Sequence, residues 1–127
     1  TRPWQHVLEP LNGYLTLCEN LYKNNKGSID CFNFGPDEVN NRTVNELVKK
    51  INIYWPCDCY YEQKNDEPYE AKSKKLDISK SKKVLNWTPT WNFETTVLKT
   101  INWYKNYHSN GSRAYDLCMN DINHFMS

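Results

Sequence analysis

Apolar residues return at three- and four-residue steps in three stretches of this chain, and that spacing limits how it can fold more than any other feature. Leu8, Leu11, Leu15, Cys18 and Tyr22 share one face of a helix. Pro10 suits its first helical position, and Glu9 suits its cap, where a carboxylate meets free N–H groups. The run Asn24-Asn25-Lys26-Gly27 predicts its end. A second helix is announced by the capping box Thr43-Val44-Asn45-Glu46, with Val44, Leu47, Val48, Ile51 and Tyr54 as its buried stripe and Pro56 closing it. A third begins after Asn92, a good N-cap, carries Phe93, Val97, Ile101 and Tyr104 on one face with Trp103 nearby, and ends at Asn110-Gly111.

Between these helices lie shorter elements. Residues 29–34 read as a strand ending at Gly35-Pro36, and residues 57–62 as another, followed by a polar loop. The chain is expected to be extended at Lys75-Leu76-Asp77. A short helix should run from Ser79 to Leu85, broken by Asn86-Trp87-Thr88-Pro89. A last helix over residues 113–125 would carry Tyr115, Cys118 or Met119, and Ile122 on one side. This alternation predicts an α/β architecture, and 127 residues with 39% hydrophobic content suit one domain over residues 1–127.

Charge excludes several partners. Lys+Arg 16 against Asp+Glu 15 leaves a net charge of +1, so no broad field draws the chain to nucleic acid or to an anionic membrane. The lysines between Lys72 and Lys83 are interrupted by Asp77 and read as a solvated face. No apolar run approaches the roughly 20 residues of a membrane helix. The five cysteines form no disulfide framework. Cys57 and Cys59 make one C-x-C without a second pair, and His6, His108 and His124 are remote from it, so no metal site is expected. Reduced thiols in the cytoplasm fit better.

The chemistry-bearing motifs of dinucleotide enzymes are missing. Gly13, Gly27, Gly35 and Gly111 match neither G-x-G-x-x-G nor a P-loop, and no nucleophile elbow or H-E-x-x-H occurs. Tyr22/Lys26 and Tyr60/Lys64 have Tyr-x-x-x-Lys spacing, but the first pair falls at a helix end and the second across a strand and loop. No catalytic residue is therefore assigned. The informative stretch is the first: a guanidinium beside an indole and an amide, just before a helix, suits a pyrophosphate or a planar ring. An ordinary surface arginine and a packed tryptophan remain an equal alternative at this point.

A set of segments in order carries a resemblance. Arg2-Pro3-Trp4-Gln5-His6-Val7-Leu8-Glu9 is similar to a segment of CDP-glucose 4,6-dehydratases and, more widely, of extended short-chain dehydrogenase/reductases acting on nucleotide sugars. Phe32-Asn33-Phe34-Gly35-Pro36 resembles the family's strand end. Pro68-Tyr69-Glu70-Ala71 with Leu76-Asp77 and Ser79-Lys80 resembles Pro-His-Glu-Ala…Leu-Asp-x-Ser-Lys, and Leu85-Asn86-Trp87-Thr88-Pro89-Thr90-Trp91 resembles Leu-Gly-Trp-x-Pro-x-Trp.

The resemblance implies a C-terminal substrate-binding lobe, without the Rossmann domain that binds NAD and carries the Tyr-x-x-x-Lys pair. By the same likeness Arg2 would contact the substrate's diphosphate, Trp4, Gln5 and His6 would shape or support that pocket, and Glu70 would hold ribose hydroxyls. Tyr69 replaces the family's usual His, Asn86 replaces a Gly, and Glu67 stands where related enzymes place a phosphate-binding Arg. Local alternatives stay open: His6 reads as packed under the helix start rather than catalytic, Trp87, Trp91 and Trp103 as core, and Glu70 has the option of pairing with a lysine. The implied intact enzyme oxidises the sugar at C4, eliminates water and returns the hydride, with a CDP-sugar as substrate and NAD as cofactor. This segment alone is expected to be inactive, to hold no cofactor, to bind nucleotide weakly or not at all, and to self-associate through its Rossmann-facing surface. The competing expectations are a non-catalytic nucleotide-binding or interaction module, or part of another nucleotide-sugar epimerase or dehydratase.

Overall fold

The structure, a computed structural model, describes residues 1–24, 31–56 and 74–127. Its elements in order are α1 (Leu8–Asn24), one 3-10 turn (Glu38–Asn40), α2 (Val44–Tyr54), α3 (Ser79–Leu85), α4 (Phe93–Ser109) and α5 (Ala114–Met126). The helix starts follow local chemistry. Thr43 and Glu46 form the reciprocal capping box of α2, the hydroxyl accepting from Glu46 N at 3.1 Å and the carboxylate accepting from Thr43 N at 2.7 Å. Asn92 caps α4 by accepting from Thr95 N at 2.9 Å. Asp77, two residues before α3, accepts from Ser79 N at 2.9 Å. At the far end of α3, Asn86 sits in the left-handed region (φ 53°), which favours Gly or Asn.

The α/β expectation is overturned. The structure is mostly helical, and among the described residues there is no sheet, only one isolated antiparallel bridge between Arg2 and Arg42. The expected strand over residues 29–34 falls partly outside the described residues; residues 31–34 run without strand pairing. Side chains take over the backbone partners that a neighbouring strand would supply. Gln5 Nε2 donates to Phe34 O at 3.0 Å, and the Ser81 hydroxyl donates to Asn33 O. The second expected strand, residues 57–62, lies outside the described residues.

Two apolar clusters hold the described parts together. In the first, Phe34, Ile78, Leu85 and Trp87 are buried, with Leu17 of α1 and Phe32 packed against them. Phe34 stands edge-on to Trp87 at 5.0 Å between ring centroids. Gly13 lets α1 approach, since a Cβ there would lie 2.4 Å from the Phe34 ring. In the second, Phe93, Val97 and Ile101 of α4 are buried against Trp4 and against Leu47, Ile51 and Tyr54 of α2. This is the expected α2 stripe, half-buried rather than fully enclosed.

The outer surface departs from the sequence reading. The stripe of α1 faces outward: Leu15 is 71% and Tyr22 91% exposed, and the packed face is the one carrying Gly13 and Leu17. On α5 the buried residues are Asp121 and Phe125, whereas Tyr115, Met119 and Ile122 are exposed. Of the three tryptophans read as core, Trp87 is buried and Trp91 and Trp103 are half-buried. Among the described residues, no helix is long and apolar enough to cross a membrane.

Candidate functional site

Arg2, Trp4, Gln5 and His6 lie on one non-helical segment that leads into α1. Hydrogen bonds tie this segment to Arg42 on one side and to Phe34 on the other. Arg2 exchanges backbone bonds with Arg42 (Arg2 N to Arg42 O 2.8 Å; Arg42 N to Arg2 O 3.2 Å). Its Nη1 donates to Thr1 O at 2.9 Å. The Trp4 indole donates to the same Arg42 carbonyl at 3.1 Å while its rings pack on the second cluster. Gln5 reaches the opposite way, to Phe34.

His6 is buried and accepts at Nδ1 from Leu8 N at 3.3 Å, which places its remaining proton on Nε2. Its ring meets Trp91 edge-on at 4.8 Å, and Trp91 meets Phe125 of α5 at 5.1 Å. Burial lowers the imidazole pKa below its usual value; Asp121 pulls it up and Lys99 pushes it down. The ring is thus a neutral packing and capping group under the start of α1. Four expected site residues share one segment, but only Arg2 offers a charge there. Tyr69 and Glu70, the remaining expected contacts, lie outside the described residues, as do Cys57 and Cys59.

Glu9, expected as a cap of α1, and Asp121 are buried charged groups whose partners are remote in sequence. Glu9 has 0% exposure. Its carboxylate accepts from Thr90 N at 3.1 and 3.0 Å and from Trp91 N at 2.6 Å, locking α1 onto the turn before α4. It therefore serves a distant turn rather than its own helix. Burial raises its pKa, and the Trp91 and Thr90 N–H groups pull it back down. Asp121 of α5 pairs with Lys99 of α4 at 3.3 Å, and the lysine also lies over the Trp91 ring at 5.4 Å. Only a spatial neighbour 81 or 22 residues away distinguishes these groups from surface charges.

An open cleft of about 410 Å3 runs between α1, α4 and α5, with Leu11, Trp103, Tyr104, Cys118 and Ile122 on its walls and His6 and Asp121 at its polar edge. A smaller one of about 240 Å3 lies under Trp4 and Gln5 against Leu47, Val97 and Ile101. Buried polar atoms beside it, Gln5 Oε1 and Thr96 Oγ1, have no hydrogen-bond partner. Neither Gly13 nor Gly35 offers a cradle for NAD. Gly13 is filled by Phe34 and Gly35 by Leu76, each under 3 Å from a notional Cβ, so both serve protein packing and not a pyrophosphate. These two positions do not fit that cofactor.

The architecture, then, is a helical lobe whose first residues form a tethered Arg-Pro-Trp-Gln-His segment. No known family profile matches the sequence. The chain is similar to the CDP-glucose 4,6-dehydratase of Salmonella typhimurium, 37% identical over 105 residues, which is 82% of this chain and 29% of that protein. It spans less than a third of the length of the curated relative it matches.

Proposed function

We propose that this chain is the nucleotide-sugar-binding portion of a CDP-glucose 4,6-dehydratase and that Arg2 contacts the diphosphate of a CDP-sugar, with Trp4, Gln5 and His6 holding Arg2 in place. The observation that carries this reading is the 37% identity across 82% of the chain to a protein of that name. The tethering of Arg2 and Trp4 to Arg42, of Gln5 to Phe34 and of His6 to Leu8 supports it, because binding a charged ligand favours a guanidinium whose backbone is held in advance. Tyr69 and Glu70 belong to the same proposal as ribose-side contacts. NAD and the proton-transfer residues would be supplied by other parts of a longer cytoplasmic protein.

Two measurements test this. Purified chain should not turn over CDP-glucose; measurable conversion would contradict a binding portion without catalytic groups. Titration of the labelled chain with CDP, followed by NMR, should give weak shifts centred on Arg2 and Glu70. Shifts elsewhere, or silence, would favour the second reading, an interaction module. That reading has its own support in the outward apolar face of α1, where Leu15 and Tyr22 are each more than half exposed. The same face is the proposed surface for self-association.

A further inference from the structure

The bridge between Arg2 and Arg42 sets two guanidinium-bearing residues directly opposite each other. In such a hydrogen-bonded antiparallel pair the Cα atoms stand about 5.5 Å apart and both side chains leave from the same face, an arrangement that is unfavourable for like charges. The backbone nevertheless commits to it, with both N–H···O bonds made and a third donor, Trp4 Nε1, on the Arg42 carbonyl. Arg42 is also prepositioned: its Nη1 donates to Val39 O at 2.6 Å and Asn41 O at 2.9 Å, and its guanidinium lies 5.5 Å from the centre of the Phe93 ring. Among the described residues, Glu46 stands 3.8 Å away from Arg42 Nε and is engaged through its other oxygen by Thr43. Glu46 therefore spends its charge mainly on the cap of α2.

We propose that Arg42 is the second guanidinium of the anion subsite to which Arg2 belongs, and that a diphosphate spans the pair. This rests on the reading of Arg2 given above. It supplies, from a residue distant in sequence, a second cationic group beside Arg2. Forked, charge-assisted bonds from two arginines suit a group bearing oxygens on two phosphorus atoms better than a single phosphate.

The test titrates the full 15N-labelled chain with inorganic pyrophosphate, with CDP and with cytidine, and follows the arginine Nε–Hε signals. Signals of Arg2 and Arg42 should move together and saturate with one constant for pyrophosphate and for CDP, and stay still with cytidine. Arg42→Gln should weaken pyrophosphate binding about tenfold, the scale of one charge-assisted contact. Arg42→Lys, which keeps the charge without the fork, should fall between. If Arg2 responds to pyrophosphate while Arg42 does not, and Arg42→Gln binds like the parent, the role of Arg42 is overturned and that of Arg2 stands. If neither signal moves, both are overturned. Should Arg42→Gln melt early, the joint side-chain shifts of the parent protein decide the matter.

Discussion

The two apolar clusters are built on different principles. The second is helix against helix: Leu47 and Ile51 of α2 meet Val97 and Ile101 of α4, and each helix opens with its own side-chain cap. The first joins unlike pieces, an extended stretch at Phe32 and Phe34, a two-turn helix and a left-handed turn, and it depends on Gln5 and Ser81 to satisfy carbonyls. Periodic sequence suffices for the second. The first requires single atoms at single places, and the proposed binding segment runs between the two, with Trp4 in one and Gln5 tied to the other.

This contrast predicts where damage should be greatest. Glu9→Ala should cost about 2 kcal/mol in chemical denaturation, since it leaves the part-buried N–H groups of Thr90 and Trp91 without their acceptor. Glu9→Gln, which still accepts, should cost about 1 kcal/mol. Equal losses would show that the charge, not the acceptor, holds the turn. Next, Gly13→Ala should cost about 2 kcal/mol by driving a methyl into Phe34. An unchanged melting temperature would mean that α1 docks more loosely than described. Asn92→Ala should cost about 1 kcal/mol, felt in the second cluster; amide exchange that rises equally in α3 would deny the separation of the clusters.

The smallest expected effect is one of pH. His6 has a folded pKa below its unfolded value, so its contribution is present above about 6.5 and is lost as pH falls through the lower folded value. Glu9 works in the opposite sense: with its pKa raised, its contribution is complete below the usual carboxylate value and is lost as pH rises through the folded one. Between pH 7.5 and 5.5 the wild-type chain should lose stability relative to His6→Gln. A constant difference across that window would mean that the Leu8 bond does not depend on a neutral ring.

What the sequence revealed follows the same division. The capping box at Thr43 and the cap at Asn92 were legible because all their partners lie within three residues. Periodicity located α1, but not which side of it would be covered, because the packed side carries Gly13 and Leu17 and the outward side carries the larger apolar residues. Alternation suggested strands near residue 31, yet a strand exists only when another pairs with it, and that is not a local property. Arg2, Trp4, Gln5 and His6 were singled out by likeness to other sequences. Arg42 was not, and Glu9 reads as a cap of its own helix, since the importance of both comes from partners brought close only by folding.

The tie between residues 2 and 42 also has a bearing on how this molecule can vary. The 3-10 turn (Glu38–Asn40) sets how far Arg42 stands from Phe34, and Gln5 measures the same distance from the other strand of the tether. Adding or deleting one residue in that turn would change one length and leave the other unaltered, throwing the opening arginine out of step. Length changes should therefore be tolerated at the Gly111 bend, where a side chain would meet nothing within 4 Å, and rejected between residues 37 and 42.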